Sequence, residues 1–173
     1  MYVDILILAE LISRPSHGYE LKRHVQHLLG DALTINANQL YPALRRFEEM
    51  GAVTREVERQ SGRPDRHIYH ITDRGTEVLQ QLLQDFSTDL AHSDGEFMTR
   101  VAFFHLLDRP FRQDILTMRK EVQQRQLERI EQSRLVIRVD APNYSYVMKI
   151  LTFRQQQLRQ ELLWISALMQ EGE

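Results

Sequence analysis

Apolar side chains recur at helical spacing through the first half of the chain, and short polar breaks separate the segments. Apolar residues three and four positions apart predict a first helix over residues 3–12, which Pro15 ends. Ser16 is expected to cap a second helix that runs to about residue 29. This pattern predicts two consecutive amphipathic helices at the start of the chain.

The next segment begins with several amide side chains and predicts a third helix. Either Asn36 or Asn38 is expected to cap this helix, and Gly51 is expected to close it. Pro42 has no backbone N–H, so it must lie within about the first turn or impose a local kink. The amides that precede Pro42 are therefore expected near the N-terminus of the helix.

Two short β-prone runs follow the third helix. They cover residues 53–59 and 67–71, and a turn containing Gly62 and Pro64 joins them. Thr72 is expected to cap a fourth helix. Three helices, a hairpin and a further helix are the element order of a winged helix-turn-helix, so the predicted fold is mainly α with a small β-hairpin.

The composition changes at a polar stretch near residues 87–95, which predicts a domain boundary. Residues 1–90 are expected to form the winged helix-turn-helix domain, and residues 91–173 an all-α domain used for dimerisation. The predicted helices of the second domain cover residues 96–107, 110–136 and 144–170.

The last predicted helix repeats apolar residues every seven positions. Leu151, Leu158 and Ile165 have this spacing, which suits antiparallel packing against the preceding long helix. The second half also carries more large apolar side chains than two helices with polar outer faces can bury. A second copy of the chain is the economical explanation, and a homodimer is therefore predicted.

Composition and charge exclude several classes of protein. The chain has 173 residues, 42% of them hydrophobic and 27% charged, which is ordinary for a globular protein. The absence of cysteine excludes disulfides, thiolate metal sites and cysteine nucleophiles. Acidic residues interrupt the apolar start, so neither a signal peptide nor a membrane span is expected, and a cytoplasmic location is predicted.

The formal net charge of −2 opposes binding to nucleic acid, but the arginines are concentrated in one region. Screening limits the influence of a charge to about 8 Å at physiological salt, so local clustering outweighs the sum. A basic face is therefore expected on an otherwise neutral or acidic molecule. The clustered arginines are Arg45, Arg46, Arg55, Arg59, Arg63, Arg66 and Arg74.

The third helix carries the residues expected to read DNA bases. Asn38 and Gln39 have amides that can pair with adenine in the major groove, although either can instead cap the helix. Tyr41 is expected either to contact the sugar-phosphate backbone or to pack against the second helix. Arg45 and Arg46 lie about 100° apart on a helix, so one is expected to reach DNA. The other is expected to pair with Glu48 or Glu49.

Basic residues outside the third helix are expected to contact the DNA backbone. Arg63 and Arg66 lie at the predicted hairpin tip, where they can meet phosphate or the minor groove. Lys22 and Arg23 on the second helix are expected to contact phosphates, which positions a protein without specifying sequence.

Several short motifs in the first half of the chain form a recognisable set. They are His17–Leu21, Leu40–Arg46, Gly51, Gly62–Pro64, Arg66, Tyr69, Thr72 and Gly75. Together these motifs, over about residues 3–80, resemble the PadR-like family of bacterial transcriptional regulators, and helical extensions in the longer branch of the family are similar to the second half of the chain. The family resemblance implies a homodimer that binds pseudo-palindromic operators, usually as a repressor and sometimes released by a small molecule.

Other candidate chemistry is limited. His24 and His27 lie one helical turn apart, but no third ligand is evident, so neither a metal site nor a cofactor is predicted. No enzyme signature is present. A winged-helix module that binds another protein is the alternative to DNA binding. Aromatic residues that can line an effector pocket, or simply form core, are Phe104, Tyr144, Tyr146, Phe153 and Trp164.

Overall fold

The computed structural model describes residues 1–28, 35–59 and 66–171, and the chain divides into two compact units. The N-terminal unit contains Met1–Phe86 and Ser93–Asp108. The C-terminal unit contains Ser87–His92 and Arg109–Glu173. The chain therefore crosses between the units more than once, instead of changing unit at a single boundary near residue 90.

A buried helix, α1, lies at the centre of the N-terminal unit. It contacts the other four helices of that unit as well as the sheet. Ile5, Leu6, Ile7 and Leu8 are consecutive and all fully buried. A helix that is apolar on every side is typical of a core position. The five helices are α1 (Tyr2–Ser13), α2 (Gly18–Leu28), α3 (Ala37–Glu49), α4 (Asp73–Gln84) and α5 (Asp94–Ala102).

The sheet has three antiparallel strands in the order β1-β3-β2. The predicted hairpin is formed by β2 (Val53–Glu58) and β3 (Arg66–Ile71), and β1 (Ser16–His17) pairs with the free edge of β3. The prediction that Ser16 caps the second helix was wrong. Ser16 is buried in β1 opposite Tyr69, because strand pairing satisfies its backbone groups.

Three predicted helix boundaries are confirmed by side-chain or backbone geometry. Asn36 caps α3, since its side chain accepts a hydrogen bond from the Gln39 N–H at 3.0 Å. Gly51 follows the end of α3 with φ +70°, a conformation that L side chains rarely adopt. Thr72 caps α4 by accepting from the Gly75 N–H at 3.1 Å. Pro42 lies beyond the first turn of α3, and the helix continues through it.

The helix α5 belongs to the N-terminal unit, where the Arg100 side chain joins it to α4 by hydrogen bonds. Arg100 is fully buried and donates to the carbonyls of Leu82, Leu83 and Asp85 at 2.9, 3.2 and 2.7 Å. It also donates to the Glu96 carboxylate at 2.7 Å. These bonds satisfy the last carbonyls of α4, which have no partner within their own helix.

The fifth helix is shorter than predicted. It ends at Ala102 rather than at residue 107, and a 3₁₀ turn, Phe104–Leu106, follows. The carbonyl of Leu106 accepts a hydrogen bond from the Gln80 side chain at 3.0 Å. A contact with α4 therefore holds the segment after α5 in a tighter conformation than a continued helix.

The C-terminal unit contains two long antiparallel helices, α6 (Arg109–Val136) and α7 (Tyr144–Gln170). Leu158 and Ile165 from the predicted seven-residue repeat are buried. Polar pairs also cross between the helices, because Arg119 is buried and donates to Glu161 at 2.7 Å. Near the other end Arg134 donates to Gln155 at 2.6 Å. The predicted packing of the last two helices against each other is confirmed.

The predicted fold class is confirmed: the protein is mainly helical, with a small antiparallel sheet and an all-α second half. Within the described part of the chain, no helix is both long enough and apolar enough to cross a bilayer.

Candidate nucleic-acid interface

One exposed face of α3 brings together three of the predicted DNA-binding residues. Asn38, Tyr41 and Arg45 are exposed and lie three and seven positions apart, which places them on one side of the helix. The opposite side is buried in the core through Leu40 and Phe47. From Asn38 to Arg45 the face is about 10 Å long at 1.5 Å per residue. It therefore presents an amide, a phenol and a guanidinium in a row.

The amides at the start of α3 have different roles. Asn36 and Gln39 form a reciprocal capping box, because the Gln39 side chain also accepts from the Asn36 N–H at 3.2 Å. Asn38 follows the cap and is exposed. In the described part of the chain its side chain has no hydrogen-bond partner. The capping interpretation thus applies to Gln39, and Asn38 is the amide left to contact a ligand.

The two adjacent arginines of α3 also differ in their roles, and neither has the partner that was predicted. Arg46 forms an ion pair with Asp4 of α1, and its guanidinium lies 5.1 Å from the Phe47 ring. The prediction that Arg45 or Arg46 pairs with Glu48 or Glu49 was wrong, because the tertiary fold brings Asp4 close to Arg46. Glu48 instead pairs with Arg55 of β2 at 3.3 Å. Arg45 remains on the exposed face.

The wing is the hairpin formed by β2 and β3. In the described part of the chain, one of its arginines lies near α2. Arg66 begins β3, and its guanidinium lies 5.8 Å from the centre of the Tyr19 ring. Tyr19 is 52% exposed. Arg63 lies outside the described residues. Lys22 is half-buried and Arg23 exposed on α2, the helix that begins beside Tyr19.

The side chain of His17 contacts residues that are distant in sequence. His17 stacks on Tyr19 with ring centres 5.8 Å apart, and its Nδ1 lies 3.1 Å from the His67 carbonyl. Its Nε2 lies 3.6 Å from the Glu58 carboxylate. His17 thus links β1 to both wing strands. Sequence gave no indication of this role, since the partners are 41 and 50 positions away.

The carboxylate of Glu20 lies at the start of α2 and acts as a local cap. It accepts from the His17 N–H at 3.2 Å and from the Tyr19 hydroxyl at 3.2 Å. The hydrogen bond from His17 is the main reason why the pKa of Glu20 is lowered from its usual value. Glu20 is therefore ionised at neutral pH beside Tyr19.

The predicted effector aromatics do not form one compact cluster within α7. Tyr144 and Trp164 are 20 positions apart on the same helix, a separation of about 30 Å. Tyr146 and Phe153 are 70% and 58% exposed. Phe104 is half-buried in the other unit. A single small pocket within α7 therefore cannot include both Tyr144 and Trp164.

Of the two α2 histidines considered as metal ligands, His24 already contacts other polar side chains. His24 lies 3.0 Å from Glu10 of α1, and Arg14 approaches the same imidazole at 2.7 Å. The side chain of His27 lies outside the described residues. Among the side chains that are described, no group of three or more candidate ligands is arranged to hold a metal ion.

Comparison with known proteins identifies the N-terminal segment. Residues 7–81 match the model of the transcriptional regulator PadR-like family. A probable transcriptional regulator of Mycobacterium tuberculosis is 34% identical over 79 residues, covering 46% of this chain and 42% of that protein. The chain thus spans less than half the length of that relative. The family resemblance predicted from the motifs is confirmed.

Solved structures with similar folds include regulators of two further bacteria. Bacillus subtilis PadR in complex with operator DNA has a TM-score of 0.48 and 20% identity, with 100% of each chain covered. A transcriptional regulator from Clostridium thermocellum has a TM-score of 0.44 and 30% identity, covering 46% of this chain and 77% of that one.

Proposed function

We propose that this chain, whose residues 7–81 belong to the PadR-like family of transcriptional regulators, binds operator DNA in a sequence-specific manner. In this proposal it acts as a homodimeric repressor on a pseudo-palindromic operator. The N-terminal unit contacts DNA and the C-terminal unit dimerises. The observation that carries the proposal is the exposed face of α3 formed by Asn38, Tyr41 and Arg45.

The dimensions and chemistry of this face suit a major groove. The groove is about 12 Å wide and admits one helix, whose N-terminal residues meet the base edges. Asn38 lies in the first turn of α3, where its amide can pair with an adenine edge. Arg45 lies two turns later, within reach of a base or phosphate, and Arg66 adds a cation from the wing.

The proposed dimer is supported by apolar side chains that remain exposed on α7. Tyr146, Ile150, Phe153 and Leu163 are all between 58% and 70% exposed. Burying such a surface against a second copy removes apolar area from water. Two-fold symmetry would then place two α3 helices on half-sites about 34 Å apart, or a multiple of that distance.

Release by a small-molecule effector completes the proposal. The aromatic side chains of α7 support it, because aromatic and apolar side chains line most small-molecule sites. Since Tyr144 and Trp164 are far apart within one helix, a site that uses both would require two protomers.

The base-reading role of α3 is tested by two matched substitutions at neighbouring asparagines. An operator is first selected from a random duplex pool, and affinity is then measured by fluorescence anisotropy on operator and random DNA. Asn38→Ala is expected to cost about 1–3 kcal/mol on the operator, with little loss on random DNA. Asn36→Ala removes the cap and should lower stability by about 1 kcal/mol without changing the ratio between the two duplexes.

The melting temperatures of both variants separate readout from folding. If Asn38→Ala leaves the ratio of operator to random affinity unchanged, α3 does not read bases through this residue. If the selection yields no preferred sequence from wild-type protein, sequence-specific DNA binding is wrong altogether.

A second candidate function is a protein-interaction module built on the same fold. The observation that favours it is charge: the net charge is −2, and Arg46 and Arg55 are already paired with carboxylates. DNA binding predicts affinity that falls steeply with salt, because phosphate contacts release counterions. Binding to a protein partner with no salt-dependent DNA shift would favour the module.

A further inference from the structure

The outer part of the wing has few buried apolar side chains to hold it in place. Every residue of β2 after Val53 is exposed, and Val57 is 49% exposed. A two-stranded hairpin alone is marginally stable in water, and regions with few buried apolar contacts open locally. Polar contacts between side chains across the sheet therefore contribute much of what positions the outer part of the wing.

Two histidine–glutamate pairs join the exposed part of β2 to the other strands. The Nε2 of His17, in β1, lies 3.6 Å from the Glu58 carboxylate. The Nε2 of His70, in β3, lies 3.4 Å from the Glu56 carboxylate. Glu56 and Glu58 are two positions apart on one strand, so their side chains share one face of the sheet. Each pair thus connects this face of β2 to a less exposed histidine.

The backbone of β3 determines which ring nitrogen of a neutral His17 carries the proton. The Nδ1 of His17 lies 3.1 Å from the His67 carbonyl oxygen, which can only accept a hydrogen bond. The proton of the neutral ring must therefore be on Nδ1, which leaves Nε2 as an acceptor. This bare nitrogen faces a carboxylate oxygen of Glu58, which is also an acceptor. A second proton, on Nε2, converts this unfavourable contact into an ion pair.

His70 also has a nitrogen that a neutral ring leaves unsatisfied. In the described part of the chain, its Nε2 is buried and has no hydrogen-bond partner, although Glu56 is close. A positive charge on the ring is attracted to this carboxylate even where hydrogen-bond geometry is poor. The strand β3 also packs against α1, α2 and α4, but within the described residues no charged side chain of these helices pairs with His70.

The charges around His17 favour the protonated ring. Glu58 and Glu20 attract a positive imidazole, and Glu20 also accepts from the His17 N–H. Arg66 and a protonated His67 oppose a positive charge there. Two carboxylates therefore face one permanent cation and one further histidine. The titratable and charged groups that face His17 are Tyr19, Glu20, Glu58, Arg66 and His67.

We propose that protonation of His17 and His70 fixes the wing on the rest of the N-terminal unit, so that DNA affinity rises as pH falls from about 8 to about 6. Imidazole is the side chain whose charge ordinarily changes in this range. The change in the wing needs no DNA, whereas the change in affinity rests on the proposed DNA binding. Both histidines are positioning residues, because they act through the strand that they hold.

The exposure of the two pairs limits the size of the effect. A partly exposed ion pair changes an equilibrium constant by about 1.5-fold to fivefold. Apparent affinity falls with the fraction of protein that is in the binding-competent state, so this factor also limits the gain in affinity for one wing. Two wings in a dimer multiply it to about twofold to 25-fold.

The first test follows the His17 ring without DNA. Long-range ¹H–¹⁵N spectra of the full-length protein, labelled at its histidines, report which ring nitrogens are protonated. At about pH 8 the His17 ring should carry its proton on Nδ1, and at about pH 6 on both nitrogens. Glu58→Gln should move this change to lower pH, because the carboxylate that favours the second proton is gone. A neutral His17 protonated on Nε2 would overturn the proposal, since that ring can donate to Glu58 without a charge.

The second test compares DNA affinity at the two pH values. A glutamine amide at position 58 can donate to the neutral Nε2 of His17, so the contact no longer needs a proton. The gain in operator affinity from about pH 8 to about pH 6 should be about twofold to 25-fold greater for wild type than for Glu58→Gln. Removing a carboxylate from the wing also strengthens DNA binding at every pH, so only the ratio between the two pH values counts.

Matched variants check that the wing is responsible. Glu56→Gln should reduce the gain in the same way, because it removes the partner of His70. Glu10→Gln removes a carboxylate that lies 3.0 Å from His24, outside the wing, and should keep the wild-type gain. Melting temperatures near that of wild type confirm that each variant is folded.

The outcomes separate this proposal from the proposed function. If wild-type protein binds no DNA at either pH, the proposed function fails together with the effect on affinity, while the ring spectra still decide whether His17 and Glu58 pair on protonation. If DNA binds but the gain is the same for wild type, Glu58→Gln and Glu56→Gln, only the regulation by pH is wrong. A gain that Glu10→Gln abolishes equally would also overturn it, because the effect would then not come from the wing.

Discussion

Replacing Arg100 by methionine should destabilise the N-terminal unit strongly. Arg100 is fully buried, and its guanidinium lies 4.9 Å from the Phe86 ring as well as bonding the end of α4. Methionine fills much of the space but donates no hydrogen bond. The change removes the guanidinium from the Glu96 carboxylate, which is only 6% exposed and keeps the Met1 ammonium at 3.4 Å and the Tyr2 N–H at 2.7 Å.

The expected loss of folding stability follows from the buried Arg100–Glu96 ion pair. Removing one partner of such a pair typically costs about 3–5 kcal/mol, because the remaining charge stays desolvated. The carbonyls of Leu82, Leu83 and Asp85 also lose their donor, although water can reach the more exposed of them. We expect a loss of about 3–5 kcal/mol, which corresponds to a fall in Tm of about 10 °C or more.

Urea unfolding followed by far-UV circular dichroism measures this loss. The single tryptophan, Trp164, lies in α7 and reports on the C-terminal unit separately. Arg125→Met is the matched control, since its side chain is 52% exposed and should change stability by less than about 0.5 kcal/mol. Adding Glu96→Gln to the Arg100 variant should recover part of the loss by removing a buried charge that has lost its guanidinium partner. A loss below 1 kcal/mol for Arg100→Met would refute the reasoning.

The same pair predicts a dependence on pH. Burial raises the pKa of Glu96, but hydrogen bonds from Arg100 and from the Tyr2 N–H outweigh it, so the net shift is downward. A lowered folded pKa means stability that is present above the unfolded value of about 4.3 and is lost as pH falls through the folded value. Glu96→Gln should therefore lose less Tm than wild type between pH 5 and pH 3. Equal losses would contradict the assignment.

Two other predictions concern packing and assembly. Gly75→Ala should be strongly destabilising, because the added Cβ would lie 2.1 Å from the Ala52 carbonyl oxygen and 2.6 Å from Ile71. At Gly51 an added Cβ would contact no atom, but the backbone has φ +70°, so Gly51→Ala should lower stability by about 1–2 kcal/mol. A larger loss of stability for Gly51→Ala than for Gly75→Ala would contradict this reasoning. Light scattering should show a dimer at micromolar concentration, and Phe153→Asp on the exposed face of α7 should shift it toward monomer. A monomeric wild type would refute the proposed assembly.

Local signals in the sequence predicted most helix boundaries. Thr72 caps α4 because its hydroxyl accepts a hydrogen bond from the N–H of Gly75, three residues later. This cap needs no partner that is distant in sequence. The last helix was predicted at residues 144–170, as observed, because a turn before it and a long apolar repeat define its limits. Such features depend on neighbours in sequence, which explains why they were predictable.

Contacts between distant residues were not predictable in this way. The strand Ser16–His17 has only two residues, too few to show an alternating pattern, and its partner β3 lies about 50 positions later. Arg46 pairs with Asp4, 42 positions away, in place of a nearby glutamate. No role was predicted for Arg100, although Glu96 one turn earlier is a weak signal for a paired, buried arginine.

In the candidate interface, too, features set by neighbouring residues were predictable, and features set by distant contacts were not. Helical periodicity explains why Asn38, Tyr41 and Arg45 share one face of α3, but the prediction did not choose between Arg45 and Arg46. The roles of Gln39 and Arg46 depended on a cap and on a distant carboxylate. Tyr41 and Arg66 line one small recess only because α2, α3 and β3 meet, so no single sequence segment could reveal it.

The pairing of charges reconciles a net charge of −2 with the proposed DNA binding. Arg46, Arg55 and Arg74 each have a carboxylate partner, so they contribute little field at a distance. Over the residues that the structure describes, Arg45 and Arg66 have no ion-pair partner. If each neutralises one phosphate, these two arginines contribute a salt slope of about −1.8 per subunit and about −3.6 per dimer. A second copy of the chain would thus double this electrostatic contribution to operator affinity.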